Sequence, residues 1–425
     1  LTPSVVNVNY LGWTKAADKP VALDVALDLV KDGYQFRDFK LSGPQANVHG
    51  KFDMNKKWDW MMVDLPVVKL GPDNDLILKG ARDAAGTLVI DASGPRADAS
   101  GLLHDFVSGT GDTAEAEAAA TRLVTPEMVA DSARRTDINA TIKHVTGQNK
   151  THFSDLEAHF SLVDDWVYSL SIKGKDGADL PITASIVPGE KQTRAFSMSS
   201  GDAGAIFSAL DLADGVRGGA MTANGVIDDT APGSPMKGNI DVRKFRLINE
   251  PVLAKILTLG SLTGISDTLS GDGIYFDHLV LPFRITGHRI HVEDARVAGP
   301  AIGLTMQGQI DRVSDQLDLE GTLVPAYTIN SVLGKVPLLG PLLIGREGEG
   351  IFGFTYAVKG NIDNPSVIVN PLSAIAPGFL RRLFEFGSSL PPEAPVPVAP
   401  PASRGHPADA SPGPEAAPDT GKVNP

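Results

Sequence analysis

The chain has 425 residues and 42% apolar content, enough for a sizeable buried face and for more than one domain. A formal net charge of −13 argues against a nucleic-acid partner, because phosphate binding needs a basic footprint. With no cysteine, disulfides, thiolate metal sites and thiol nucleophiles are excluded, which suits an oxidising compartment such as a periplasm.

In chain order, Val21 to Leu29 alternates large apolar side chains with Ala or Asp, the pattern of a half-buried strand. A helical interruption follows, Thr113 to Leu123 and then Pro126 to Arg135, with Pro126 at a first-turn position. Leu156 to Leu162 and Trp166 to Ile172 read as a hairpin around Asp164-Asp165. Helices are expected at Ala203 to Leu212 and at Glu250 to Leu259, the latter with a broad apolar side. Strands then follow at Leu279–Thr286, Ile290–Val297, Ile302–Ile310, Gln316–Leu323, Ile351–Val358 and Ser366–Val369. Short connections make sequential antiparallel pairing the economical topology. The longest apolar stretch, Leu323 to Ile344, is broken by Asn330, Lys335 and three prolines, so a membrane-spanning helix is not expected there. Leu372 to Phe386 reads as a last helix, and residues 387–425, with 11 prolines, as a disordered tail.

Two phrases recur. Glycine, any residue, an apolar residue and aspartate appear at Gly50–Asp53, Gly225–Asp228, Gly238–Asp241, Gly308–Asp311 and Gly360–Asp363. In a strand the glycine and the apolar residue share a face, and the aspartate is expected to open a turn. Gly-Pro follows expected strands at Gly43-Pro44, Gly94-Pro95 and Gly299-Pro300. The repetition describes a long antiparallel meander, apolar on one face and polar on the other. From the residues alone, that apolar face can be sealed by a second sheet or left open as a groove.

Residues 215–386 carry a resemblance. The phrases are Asn249-Glu250-Pro251-Val252-Leu253, Leu269-Ser270-Gly271-Asp272-Gly273-Ile274, Val297-Ala298-Gly299-Pro300-Ala301-Ile302-Gly303, Gly321-Thr322-Leu323-Val324-Pro325-Ala326-Tyr327 and Asn370-Pro371-Leu372-Ser373-Ala374-Ile375-Ala376-Pro377-Gly378-Phe379-Leu380-Arg381. This stretch resembles the C-terminal region of the AsmA-like envelope proteins, in the group typified by YhdP and related to TamB. Residues 1–200 resemble that group only as repetitive amphipathic strands. The resemblance implies a mainly β protein: a long, twisted antiparallel sheet folded into an open apolar groove, with a few short helices. It implies a bacterial periplasmic location, an inner-membrane anchor preceding Leu1, and carriage of phospholipid between inner and outer membrane. Other envelope proteins are possible partners, no cofactor is implied, and no catalytic residue is carried over.

On that reading the groove-lining candidates are Val25, Leu27, Leu29, Leu253, Ile256, Leu257, Leu304 and Met306. Candidates for membrane contact are Leu338, Leu339, Leu342 and Leu343 in the apolar segment, and Phe379, Leu380, Arg381, Arg382 and Phe384 beside it in the last helix. Their alternatives are a buried connection and a docked terminal helix. A scaffold for outer-membrane assembly that carries no lipid is the alternative function, and a glycan hydrolase is a second rival.

Weaker signals point elsewhere. His288 and His291 fall on opposite faces of a strand and read as solvated histidines, not co-ligands. Asp164-Asp165 and Asp228-Asp229 read as turn carboxylates. Gly345 to Gly350 lacks phosphate-loop spacing, and Gly271-Asp272-Gly273 reads as a tight turn.

Overall fold

Short turns between amphipathic strands leave the next strand as the cheapest pairing partner, and the chain takes that course almost throughout. The computed structural model describes residues 5–108, 120–164, 166–325 and 353–370. The chain divides into one unit over Leu1–Phe386 and a second over Gly387–Pro425. The tail, the apolar segment beyond Pro325 and the Leu372–Phe386 helix all lie outside the described residues.

A hairpin of β1 (Val6–Val8) and β2 (Trp13–Lys15) precedes the main sheet. The sheet begins with β3 (Ala22–Val30), β4 (Gly33–Gly43), β5 (Ala46–Asn55), β6 (Trp60–Leu70), β7 (Asn74–Arg82) and β8 (Leu88–Asp98). It continues through β9 (Arg135–Thr146), β10 (His152–Val163), β11 (Trp166–Lys175), β12 (Pro181–Pro188), β13 (Thr193–Ser200), β14 (Val216–Asp228) and β15 (Met236–Leu247). Its last members are β16 (Ile274–Thr286), β17 (Arg289–Ala298), β18 (Ile302–Asp311), β19 (Gln316–Pro325), β20 (Phe354–Asn361) and β21 (Ser366–Asn370). Among the described residues five α-helices interrupt it: α1 (Ser100–Ser108), α2 (Pro126–Ala130), α3 (Ala203–Ala209), α4 (Pro251–Leu259) and α5 (Thr263–Ser270).

The protein is therefore mainly β, with one 19-stranded sheet in chain order. The sheet is open. Its outer strands, β3 and β21, each pair on one side only, with β4 and β20, and not with each other. The ladder runs unbroken through β13 and β14, so the stretches before and after residue 205 are parts of one sheet.

One pair departs from the antiparallel expectation. Strands β8 and β9 run parallel, from Leu88 opposite Thr136 to Asp98 opposite Thr146. The segment between them carries the chain from one end of the sheet back to the other, as a parallel pair requires. It touches the far end at Gly233, whose N–H donates to Arg122 O at 2.8 Å. Thr125 caps α2, accepting from Met128 N, with Pro126 in its first turn.

The recurring phrases are only partly strand endings. Asp311 does open a turn, accepting from Val313 N at 3.2 Å and Ser314 N at 3.0 Å. Asp53 and Asp241 instead lie inside β5 and β15. The Gly-Pro phrase likewise splits. Pro95 sits within β8, where a register irregularity opposite Asp75–Ile77 removes the need for its missing N–H. The repeat glycine has a steric role. Gly308 has φ +136°, and a Cβ there would lie 2.1 Å from Asp318 O on the neighbouring strand.

Helix α2 sits at one end of the sheet, just before β9, and α1, α3, α4 and α5 sit at the other, where β1 and β2 also lie. Trp13, Val48, Leu76, Phe153, Ile206, Phe245, Leu257, Phe276, Ile302 and Phe354 belong to one buried cluster there. Asp202 caps α3, accepting from Ala205 N at 3.2 Å, and α4 packs against β21.

Two outcomes test this account. Replacing Gly308 with Ala should destabilise by about 2 kcal/mol, since both the backbone angle and the adjacent carbonyl oppose a side chain. Gly264→Ala, in α5 with open space around it, should be neutral or stabilising by up to about 1 kcal/mol. Urea denaturation of both variants measures the contrast. The second outcome concerns pH. Burial tends to raise the Asp311 carboxyl, but hydrogen bonds from Ser314 and Arg289 and the nearby His288 outweigh it and hold it at about 2. A lowered folded value means the unfolded chain binds the proton more readily, so this stabilisation is complete above the ordinary carboxylate range near 4. It should fade as pH falls from about 4 toward 2. Denaturant midpoints across that range should show a shallower acid loss in Asp311→Asn than in the wild type.

Candidate functional site

Residues paired across a sheet share a face, so the register can be followed from one edge to the other. Starting at β3, Leu27 faces Phe36, then Phe52, Val63, Gly80 and Ile90. The row crosses the parallel pair to Ile138 and continues through Phe160, Leu170, Ile186 and Phe196. It then passes Gly225, Gly238, Phe283, Val292 and Gly308, and ends on Leu319, Val358 and Val367. Every strand from β3 to β21 contributes one residue, and none is polar. Three of the repeat glycines fall on this row. Their lack of a side chain lets neighbouring backbones approach on this side.

A parallel row, one pleat toward the helical end, runs Leu65, Leu78, Ala92, Ala140, Ala158 and Ile172. It continues as Ala184, Met198, Ala223, Ile240 and Leu281. Five of its members are alanines. From β6 to β16 this row mixes small and large apolar side chains. The opposite face carries the reverse pattern: Lys51, Asp64, Lys79, Asp91, Asn139 and His159, then Ser171, Ser185, Ser197 and Asn224. Its members bond to one another, as Asn139 Nδ2 to Asp91 at 2.9 Å and Ser185 to Ser197 at 2.8 Å.

The apolar face is accessible over much of its length. Phe36, Phe52, Ile90, Ile138, Phe160 and Phe196 are only half-buried, which large side chains sealed under a second layer would not be, while Val63, Leu170 and Ile186 on the same row are buried by their neighbours. Among the described residues the only strands outside the sheet are β1 and β2. Toward the C-terminal strands the face is covered. Phe283, Val292, Leu319 and Val358 are buried, and α4 supplies Leu253, Ile256 and Leu257 to the core there.

The groove-lining candidates thus separate into two groups. Val25, Leu27 and Leu29 are exposed on the edge strand, and Leu27 belongs to the apolar row. Leu253, Ile256, Leu257 and Leu304 are buried in the core cluster, so they are packing residues with no accessible furrow in front of them. Met306 is half-buried beside them. Leu338, Leu339, Leu342, Leu343, Phe379, Leu380, Arg381, Arg382 and Phe384 lie outside the described residues.

The weaker signals also resolve. His288 is not solvated: it lies in a turn, largely buried, with Nε2 3.3 Å from Asp311. Asp164 pairs with Arg134. Asp229 is not a turn carboxylate in water but one half of a buried ion pair. Arg194 donates to it through Nε at 2.8 Å and Nη2 at 2.9 Å, and to Val167 O at 2.8 Å. The guanidinium lies 3.9 Å from the Trp166 ring centroid. This clamp ties β11, β13 and the turn after β14 together beside the apolar row. Sequence reasoning missed it, and also missed the aromatic group of Tyr34, Phe36, Phe52, Trp58 and Trp60. Their alternation at 34, 36 and 52 was the available signal.

Among the described residues no group of three or more His, Asp or Glu could hold a metal, and no helix is long and apolar enough to cross a membrane. Comparison with known protein families, curated proteins and solved structures finds no match to this chain.

The buried clamp gives a stability test. Arg194→Met leaves Asp229 charged and unpaired, and should cost about 3–5 kcal/mol. The double variant Arg194→Met with Asp229→Leu should recover most of that loss, as thermal denaturation of the pair would show.

Proposed function

We propose that the chain is the C-terminal part of a periplasm-spanning protein that carries phospholipid along its apolar sheet face, between inner and outer membrane. The observation that supports this reading is the unbroken apolar row from Leu27 to Val367, on which Leu27 is exposed and Phe36, Phe52, Ile90, Ile138, Phe160 and Phe196 keep part of their surface accessible. Removing acyl chains from a bilayer into water costs about 0.8 kcal/mol per methylene, on the order of 20 kcal/mol for a two-chain lipid. An apolar sheet face replaces one apolar setting with another, so each step along it is close to neutral. Such carriage needs length, an apolar lining and few polar interruptions. It asks for no nucleophile, acid–base pair or cofactor, and the residues name none.

Alternation along one strand provides the test. A photo-crosslinking residue at Phe196, on the apolar row, should capture phospholipid that mass spectrometry identifies. The same residue at Ser197, one position along and on the polar face, should capture none. Equal labelling at both positions, or none at Phe196, rejects carriage along this face. Ile138→Asp, on the same row, should abolish the Phe196 adduct in a chain that still melts cooperatively. A scaffold without lipid would be insensitive to that change.

A further inference from the structure

Among the described residues several exposed apolar side chains gather at the N-terminal edge of the sheet, at the end opposite α1, α3, α4 and α5. Leu29 is 76% exposed at the end of β3 and Trp58 is 56% exposed in the turn between β5 and β6. Trp60 is exposed beside them. Leu29, Tyr34, Met54 and Trp60 form one register row, so this tip is continuous with the apolar face.

The turn is built to hold Trp58 outward. Asn55 Oδ1 accepts from Lys57 N at 2.8 Å and Asp59 N at 3.0 Å, and Asn55 Nδ2 donates to Asp59 Oδ2 at 2.8 Å. Trp58 itself has φ +67°, a backbone state costly for a bulky side chain. Its ring stacks on Tyr34 with centroids 4.5 Å apart. An indole kept in water at the cost of backbone strain points to a partner that covers it.

Charge narrows the partner. Lys31, Lys56 and Lys57 surround the tip, exposed and without an ion pair among the described residues, whereas nearby Arg37 is paired with Asp28. With Asp32 and Asp59 the tip is locally cationic on a chain whose net charge is −13. Indole rings flanked by free lysines match the headgroup layer of an anionic bilayer, where the ring sits at the interface and the ammonium groups meet phosphate.

We propose that this tip is a docking site for an anionic phospholipid surface. Trp58, Trp60 and Leu29 enter the interface, and Lys31, Lys56 and Lys57 hold the headgroups. The inference does not depend on carriage along the face, since a chain can dock without moving lipid.

The full chain should float with vesicles of three parts phosphatidylethanolamine to one part phosphatidylglycerol, and far less with phosphatidylcholine alone. Lipids brominated on the acyl chain should quench its tryptophan fluorescence. Trp58→Gly with Trp60→Ser should lower the apparent vesicle affinity at least tenfold and remove the quenching. Glycine suits the Trp58 backbone angle, so folding is preserved and a thermal melt verifies it. Lys56→Glu with Lys57→Glu should lose the salt-sensitive part of binding. Lys143→Glu with Lys173→Glu makes the same change in net charge elsewhere and should leave affinity within twofold. Wild-type chain that fails to float with anionic vesicles overturns the inference, as do tip variants that float normally. Tip-dependent self-association without vesicle binding overturns it too, assigning the patch to a second copy of the chain. In a tip variant the Phe196 crosslink should persist, which separates failure of docking from failure of carriage.

Discussion

The constraint on which everything else rests is strand parity. Side chains alternate faces with a period of two, so a slip of one residue anywhere would turn a strand's apolar set outward. Over nineteen strands the slips would accumulate, yet the row from Leu27 to Val367 stays apolar through several register irregularities and one reversal of strand direction. Each irregularity is absorbed locally. Between β5 and β6 the shift lies near Gly50, and between β7 and β8 it lies near Pro95, residues that tolerate a break in the ladder.

That parity has an energetic counterpart at the two ends of the molecule's long face. Where helices fold over the later strands, side chains such as Phe276 and Leu257 are fully buried and supply most of the packing. Over β3 to β13 that packing is confined to the helical end, at residues such as Val48, Leu76 and Phe153, and farther along the strands local clamps such as Arg194 with Asp229 and Trp166 contribute. A buried guanidinium saturated by a bidentate carboxylate and a backbone carbonyl holds geometry without adding apolar surface.

Much of this was legible in the sequence, and the parts that were not share a cause. Alternation placed Val21 to Leu29 in β3 and the pair around Asp164 in β10 and β11, because period-two patterning is local. The apolar row was also implicit, since any two paired strands must agree in face. Sequence could not distinguish Leu27, bare on an edge strand, from Leu304, sealed in the core, because burial depends on what α4 covers. The same limit hid the partner of Asp229, which lies 35 positions away. Parallel pairing of β8 and β9 escaped as well. Nothing local separates a chain that crosses the sheet from one that turns back.

The neighbour-only connectivity shapes how such a sheet assembles. Almost every ladder contact joins segments adjacent in the chain, so each hairpin can zip onto the one before it with little loop-closure entropy, and contact order stays low despite the all-β architecture. The exception is the join between β8 and β9, which must wait for the intervening segment to cross from one end to the other. Synthesis in the N-to-C direction would deliver β3 to β8 as one hairpin stack before β9 emerges. That join closes the longest connection between paired strands of the sheet, and so costs more loop-closure entropy than any hairpin.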